Sequence, residues 1–118
     1  MEKNLEISTL LDFYADILTE NQRQVLSLYY NEDFSLSEIA KNQGITRQGV
    51  RDTIQRAQTQ LFELEKKLHL AQRFSDVEKK IRAIIERAEK VSLGKDFERV
   101  KILTNEIKNI AESIQNEW

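Results

Sequence analysis

Apolar side chains recur three and four positions apart along most of the chain, which is the spacing of one face of an α-helix. The first run with this spacing extends from Leu5 to Leu18. We predict one amphipathic helix there, with an apolar stripe formed by Ile7, Leu10, Leu11, Tyr14, Ile17 and Leu18.

Two capping boxes mark the starts of the next two helices. Thr19 is followed three residues later by Gln22, and Ser35 is followed in the same way by Glu38. In this motif each side chain bonds to the backbone N–H of the other residue, which satisfies two donors that a helix start leaves unpaired. The boxes predict helices that begin after Thr19 and after Ser35, with an interruption at residues 31–33.

A glycine and a threonine separate the second of these helices from the next one. Gly44 tolerates the left-handed backbone conformation in which many helices end, and Thr46 is a residue type that favours the N-cap position. The helix that follows has one apolar face, formed by Val50, Thr53, Ile54, Ala57 and Leu61, and it continues through Leu64 and Leu68.

The apolar spacing changes phase in the second half of the chain. The seam that passes through Leu68 gives way to another that begins at Leu70, and Ser75 with Glu78 forms a third possible capping box near this slip. We therefore predict a bend or a new helix near residue 75.

A glycine turn divides the C-terminal seams. Residues 92–95 have turn character, and a further series with 3-4 spacing follows at Val100, Leu103, Ile107, Ile110 and Ile114. Two seams on either side of a turn predict a helical hairpin, or a coiled coil with another chain.

The composition strengthens the helical interpretation and excludes several function classes. The 118 residues include no proline and only three glycines, so we predict an all-α fold. The formal charge is −2, there is no cysteine, and His69 is the single histidine. We therefore expect no enzyme, no metal site and no cofactor. No apolar run reaches the ~20 residues of a membrane span and the N-terminus lacks a signal peptide, so we expect a cytoplasmic protein.

One segment, residues 35–56, has the spacing of a helix-turn-helix. Two helices that cross steeply need a small residue at their closest approach, which Ala40 provides. The sharp connection needs a residue that accepts left-handed geometry, which Gly44 provides four residues later. This arrangement presents its second helix for insertion into a DNA major groove. The predicted apolar anchors of the corner are Ile39, Ile45 and Val50.

These residues carry a resemblance to known proteins. Residues 19–26 (TENQRQVL) and 35–56 resemble the helix-turn-helix of region 4 of bacterial sigma factors. With the upstream residues 11–14 (LDFY) and the long C-terminal helices, the whole chain resembles the YlxM family of small candidate DNA-binding proteins. Genes of that family typically lie beside genes of the signal recognition particle. The resemblance implies a sigma-like helix-turn-helix and a regulatory or accessory role in protein targeting.

We accordingly predict two parts: residues 1–61, with the first helix and the helix-turn-helix, and residues 62–118, a helical extension that mediates oligomerisation. The exposed side of the helix that starts near Thr46 contains the candidate DNA contacts. Base edges would be read by Arg47, Gln48, Arg51 and Asp52, because these side chains pair with guanine, adenine and cytosine. Phosphates would be contacted by Lys41, Thr46, Gln55 and Arg56.

Two positions depart from the sigma pattern. Where Gly49 and Asp52 stand, sigma region 4 usually has longer polar side chains, commonly Arg and Gln. Residues 46–60 carry only three arginines and one aspartate. Few phosphate contacts give weak binding at physiological salt, so a strong DNA binder requires a dimer. Arg51 and Arg56 have an alternative role as surface ion-pair partners of Asp52 and other acids.

Two functions remain open from the sequence. In the first, a homodimer binds double-stranded DNA and regulates transcription. In the second, the protein is an accessory factor that docks on the RNA or the protein components of the signal recognition particle without reading DNA sequence.

Overall fold

The computed structural model describes residues 3–117, and of Glu117 only the backbone. Trp118, to which the sequence assigns no function, lies outside the described residues. Within residues 3–117 the chain forms six α-helices and one short 3-10 helix, which confirms the all-α prediction for this range. The helices are α1 (Glu6–Tyr14), α2 (Glu20–Tyr30), α3 (Leu36–Gln43), α4 (Arg47–Leu68), α5 (Leu70–Leu93) and α6 (Phe97–Glu117), and the 3-10 helix (Ala15–Ile17) follows α1.

The chain divides into two compact units between Ala71 and Gln72. In the first unit, α1, α2 and α3 each pack against α4, so the long α4 is the centre of the core. The apolar face predicted for α4 is confirmed at four of its positions, while Thr53 is half-buried and donates a hydrogen bond to the carbonyl oxygen of Gly49. The residues with no exposed surface are Ile7, Tyr14, Val25, Leu26, Ile39, Val50, Ile54, Ala57 and Leu61.

Local capping sets the starts of α2 and α3 as the sequence predicts. The backbone N–H of Gln22 donates to the Thr19 hydroxyl at 3.2 Å, and the Thr19 N–H donates to Gln22 Oε1 at 3.1 Å. Ser35 and Glu38 exchange the same pair of bonds at 3.1 and 3.0 Å. Both capping boxes are therefore complete, and each helix begins where its box places it.

The first helix is shorter than predicted. It ends at Tyr14, and the chain continues as the 3-10 helix over Ala15–Ile17 before Leu18 becomes extended. The change from 3.6 to three residues per turn rotates the later positions out of the apolar stripe. Ile17 is consequently half exposed, whereas Leu18 returns to the core.

The break in the second half of the chain lies at His69, so the prediction of a bend near residue 75 is wrong. His69 ends α4 with φ 56° and ψ 28°, which is the left-handed region. Ser75 lies inside α5 and starts no helix. For a residue with a side chain this conformation costs about 1–2 kcal/mol, so contacts elsewhere must stabilise it.

The second unit is a helical hairpin within one chain. Residues 94–96 connect α5 to α6, and the Gly94 N–H donates to the carbonyl oxygen of Val91 at 3.1 Å. Polar contacts join the helices: Lys80 Nζ donates to the Ser113 hydroxyl, and Arg87 Nε donates to Glu106 Oε2 at 2.9 Å. In α6 Leu103 is buried, but both helices also carry exposed large apolar side chains.

Candidate nucleic-acid interface

The connection between α3 and α4 has the geometry of a tight helix-turn-helix corner. Gly44 ends α3 with φ 67° and ψ 31°, the left-handed conformation that glycine accepts most readily. The carbonyl oxygen of Ala40 accepts the N–H of Gly44 and the N–H of Ile45 at 3.0 Å. Ala40 and Val50 are both buried, so the small residue and the apolar anchor lie in the core as predicted.

Ile45 is an exception among the predicted anchors of the corner. It is 42% exposed, whereas Ile39 and Val50 have no exposed surface. Its side chain extends toward the first turn of α4, where its Cδ1 would lie 3.8 Å from a Cβ at Gly49. Ile45 is therefore half in solvent, and its assignment as a buried anchor is wrong.

Thr46 fixes the start of α4. It is extended, with φ −78° and ψ 157°, and its Oγ1 accepts the N–H of Gly49 at 2.9 Å. The prediction of an N-cap at this position is confirmed. The other N–H groups of the first turn have no partner within the helix and point out of its end. Such N–H groups commonly bind phosphates at helix N-termini.

The three arginines of the first turns of α4 are available to a ligand. Arg47 and Arg56 are exposed and Arg51 is half-buried. Arg47 and Arg51 lie one helical turn apart, and Arg56 lies about 14 Å from Arg47 along the helix axis. Among residues 3–117, no acidic side chain forms an ion pair with any of the three. The alternative that Arg51 and Arg56 serve as ion-pair partners of Asp52 and other acids finds no support in this part of the chain.

Gln48 and Asp52 contact each other on the same side of the helix. Gln48 Nε2 donates to Asp52 Oδ1 at 3.0 Å, and both residues are exposed. This bond holds the two side chains in one row and leaves the second N–H and the Oε1 of Gln48 free to bond. Asp52 retains further acceptor capacity on its carboxylate.

The remaining candidate phosphate contacts are also exposed. Gln55 is exposed one turn after Asp52, and Lys41 is exposed in the last turn of α3. The structure thus brings the candidate residues together around the corner of α3 and α4 and the outer side of α4. None of them is fully buried.

Glu38 adds a titratable group to the start of α3. Its pKa is below the usual value, first because its carboxylate accepts the backbone N–H of Ser35 and second because it interacts with the Ser35 hydroxyl. The carboxylate is therefore charged at neutral pH and stabilises the first helix of the motif.

Comparison with known proteins bears on this corner and on the helices around it. The sequence profile described as "UPF0122: Putative helix-turn-helix protein, YlxM / p13 like" matches residues 1–100. The chain belongs to the UPF0122 family. Its matched region contains the whole first unit, all of α5 and the beginning of α6, so the family identity includes the corner described above.

Relatives of similar length extend the comparison. The "UPF0122 protein" of Clostridium kluyveri is 39% identical over 109 residues, which are 92% of this chain and 98% of the relative. The "UPF0122 protein" of Acetivibrio thermocellus is 36% identical over 117 residues, 98% of this chain and all of the relative. The one from Clostridium botulinum is 44% identical over 99 residues, 82% and 91% of the two chains.

Sequence reasoning missed one polar cluster in this UPF0122 protein. The Tyr14 hydroxyl donates to Glu65 Oε1 at 2.6 Å, although the two residues are 51 positions apart. Burial raises the pKa of Tyr14 above its usual value, and the hydrogen bond to Glu65 raises it further. No local spacing indicates this pair, because the contact depends on how α1 packs on α4. In the part of the chain that the structure describes, no helix has the length and apolar character of a membrane span.

Proposed function

We propose that this UPF0122 protein binds double-stranded DNA in the cytoplasm and regulates transcription. The first turns of α4 would lie in the major groove, with Arg47, Gln48, Arg51 and Asp52 at base edges. The observation that carries the proposal is the open side of α4, where arginines lie without acidic partners among the described residues. The family description, a helix-turn-helix protein, supports the same use of this corner.

We expect these four side chains to have distinct roles at the base edges. The planar guanidinium groups of Arg47 and Arg51 match the O6 and N7 acceptors of guanine. Gln48, held by its bond to Asp52, has one amide N–H and one oxygen left for adenine. Lys41, Thr46, Gln55 and Arg56, which are also exposed, would contact phosphates.

A homodimer is the form that we expect to bind. Each chain offers few phosphate contacts, and counterion release makes such binding weak at physiological salt. Ile85, Phe97 and Ile102 are among the apolar side chains more than half exposed on α5 and α6, which favours association through the second unit. A two-fold dimer would place two copies of α4 about 34 Å apart on one side of a duplex. Sedimentation equilibrium tests this inference, and a complex containing one chain per duplex would contradict it.

The decisive experiment compares arginine variants on selected DNA. A pool of random duplexes about 30 base pairs long, three helical turns, is enriched for sequences that the protein binds. Arg47→Ala and Arg51→Ala should each weaken binding to the enriched sequence by roughly 5- to 150-fold. Lys67→Ala, which removes one positive charge from the last turn of α4, about 30 Å from Arg47 along the helix axis, is the charge-matched control and should bind like the parent. If both α4 variants bind every duplex like the parent, the groove assignment is wrong.

A second candidate function is docking on the signal recognition particle. The small positive charge of residues 46–60 and the exposed apolar side chains of the hairpin favour it. Affinities for random duplex DNA at two salt concentrations, for the particle's RNA and for its purified proteins separate the two functions. Tight binding to the RNA or proteins that survives Arg47→Ala supports docking. Absence of such binding, with selective DNA binding, contradicts it.

A further inference from the structure

One residue separates the two longest helices of the chain. α4 ends at Leu68 and α5 begins at Leu70, with His69 between them in the left-handed conformation. Residues 66–74 (KKLHLAQRF) contain neither glycine nor proline. Histidine adopts this conformation more often than most residues do, but local preference still favours a continuing helix. The interruption therefore depends on contacts outside this segment.

Two side chains provide those contacts. The N–H groups of Leu70 and Ala71 are at the start of α5, where donors lack partners within the helix. Leu70 N–H donates to the Tyr14 hydroxyl at 3.2 Å, and Ala71 N–H donates to Glu65 Oε1 at 3.1 Å. The Tyr14 hydroxyl in turn donates to that same Glu65 oxygen. A carboxylate at a helix N-terminus is favourable, so this clamp of Tyr14 and Glu65 stabilises the separate start of α5.

The same two N–H groups have a second possible set of partners. If His69 turned to the right-handed helical conformation, Leu70 N–H would donate to the carbonyl oxygen of Lys66, and Ala71 N–H to that of Lys67. The backbone would be satisfied in either arrangement. The interrupted form gains the clamp and the packing of Leu70 and Ala71 against the core. In the continuous form His69 no longer adopts the unfavourable left-handed conformation.

We propose that the joint at His69 is a two-state switch: the Tyr14–Glu65 clamp keeps α4 and α5 separate, and its release joins them into one continuous helix. A partner that binds one form more tightly shifts the population toward that form. The switch lies within the first unit, where it acts on the backbone conformation of His69. It does not depend on DNA being the ligand.

The test uses a variant in which the clamp is broken. Tyr14→Phe combined with Glu65→Ala removes both side-chain partners and keeps the aromatic ring in the core. Each lost hydrogen bond should shift the ratio of the two forms by roughly two- to tenfold toward the continuous one. Glu65→Gln retains an oxygen acceptor and is the conservative control, so it should stay closer to the parent.

Two readouts report on the joint. Helical nuclear Overhauser contacts from Lys67 Hα to Leu70 H and from Leu68 Hα to Ala71 H should strengthen in the clamp variant. The sequence contains no cysteine, so spin labels at introduced cysteines Thr59→Cys and Lys79→Cys are specific. A continuous helix places these positions about 30 Å apart, and the fraction of the distance distribution near that value should rise. Contacts and distances identical to those of the parent would overturn the proposal.

A second pair of variants keeps the proposal testable if the clamp variant does not fold. His69→Gly favours the left-handed conformation and His69→Ala disfavours it, while both leave the clamp in place. His69→Ala should show more of the continuous form than His69→Gly. Equal populations in the two variants would contradict a switch at this residue.

Discussion

Thr46 and Gly49 form the first turn of α4 as a matched pair. The Thr46 Oγ1 accepts the Gly49 N–H at 2.9 Å, and a Cβ at position 49 would come within 3.2 Å of that same oxygen. A side chain at 49 would require the Thr46 hydroxyl to shift by a few tenths of an ångström. The cap itself does not demand glycine, because Gln22 and Glu38 stand at the equivalent third helical positions beside the caps of α2 and α3.

Thr46→Ala should lower the free energy of unfolding by about 1 kcal/mol, because the Gly49 N–H then loses its acceptor. Thr46→Ser keeps a hydroxyl at the same position and should remain close to the parent. Urea unfolding followed by circular dichroism measures the difference. Equal losses in the two variants would show that the hydroxyl does not stabilise the start of α4.

Ile39 and Ile45 should differ sharply when each is changed to alanine. Ile39 has no exposed surface, so Ile39→Ala should cost about 2–5 kcal/mol through lost burial and a cavity. Ile45 is 42% exposed, and Ile45→Ala should cost less than about 1 kcal/mol. Denaturant unfolding of both variants measures this difference, and similar losses would contradict the structural position of Ile45.

The stability of the chain should fall in acid partly through Glu38. The pKa of the Glu38 carboxyl is lowered in the folded state from the ordinary value of 4.5. The carboxylate therefore makes its full contribution to folding stability when the pH is above 4.5. The contribution is lost as pH falls through the lower folded-state pKa, because the unfolded chain binds the proton more readily. Glu38→Gln retains a capping box but does not titrate.

Melting temperatures of the parent and of Glu38→Gln, measured from pH 7 to about 3, test this expectation. The parent should lose stability more steeply below pH 4.5. Asp33, whose pKa is lowered by Lys3, titrates in both proteins, and its charge is the smallest of the influences on the Glu38 pKa, which it raises. Parallel curves would show that the Glu38 carboxylate adds nothing to the cap.

Lys41 and Arg56 should affect DNA binding through salt dependence. If each contacts a phosphate, Lys41→Ala and Arg56→Ala should each reduce the slope of log affinity against log salt by about 1. Preference among duplex sequences should remain, since phosphates carry no base information. Filter binding at several salt concentrations measures the slope, with Lys67→Ala as the charge-matched control. Unchanged slopes would remove these two residues from the phosphate contacts.

Helix periodicity predicts which residues of α4 face outward, and this is the part of the candidate site that the sequence reveals. Val50, Ile54 and Ala57 define the buried face of α4. Because an α-helix turns by about 100° per residue, the outward positions of Arg47 and Arg56 follow from this face. The half-burial of Arg51 depends on neighbouring side chains, so sequence spacing does not predict it. Gln48 and Asp52 stand four residues apart, the spacing at which Gln and Asp side chains bond on a helix, so this contact could have been found from the sequence but was not named there.

The sequence alone determined the features whose hydrogen-bonding partners lie within four residues along the chain. The capping boxes at Thr19 and Ser35, the left-handed Gly44 and the cap at Thr46 are satisfied by neighbours along the chain, so local chemistry suffices to predict them. The break at His69 was decided by the tertiary structure. The contacts at that break join residues 51 and 56 positions apart, Tyr14 with Glu65 and Tyr14 with Leu70, and only packing of α1 on α4 brings them together.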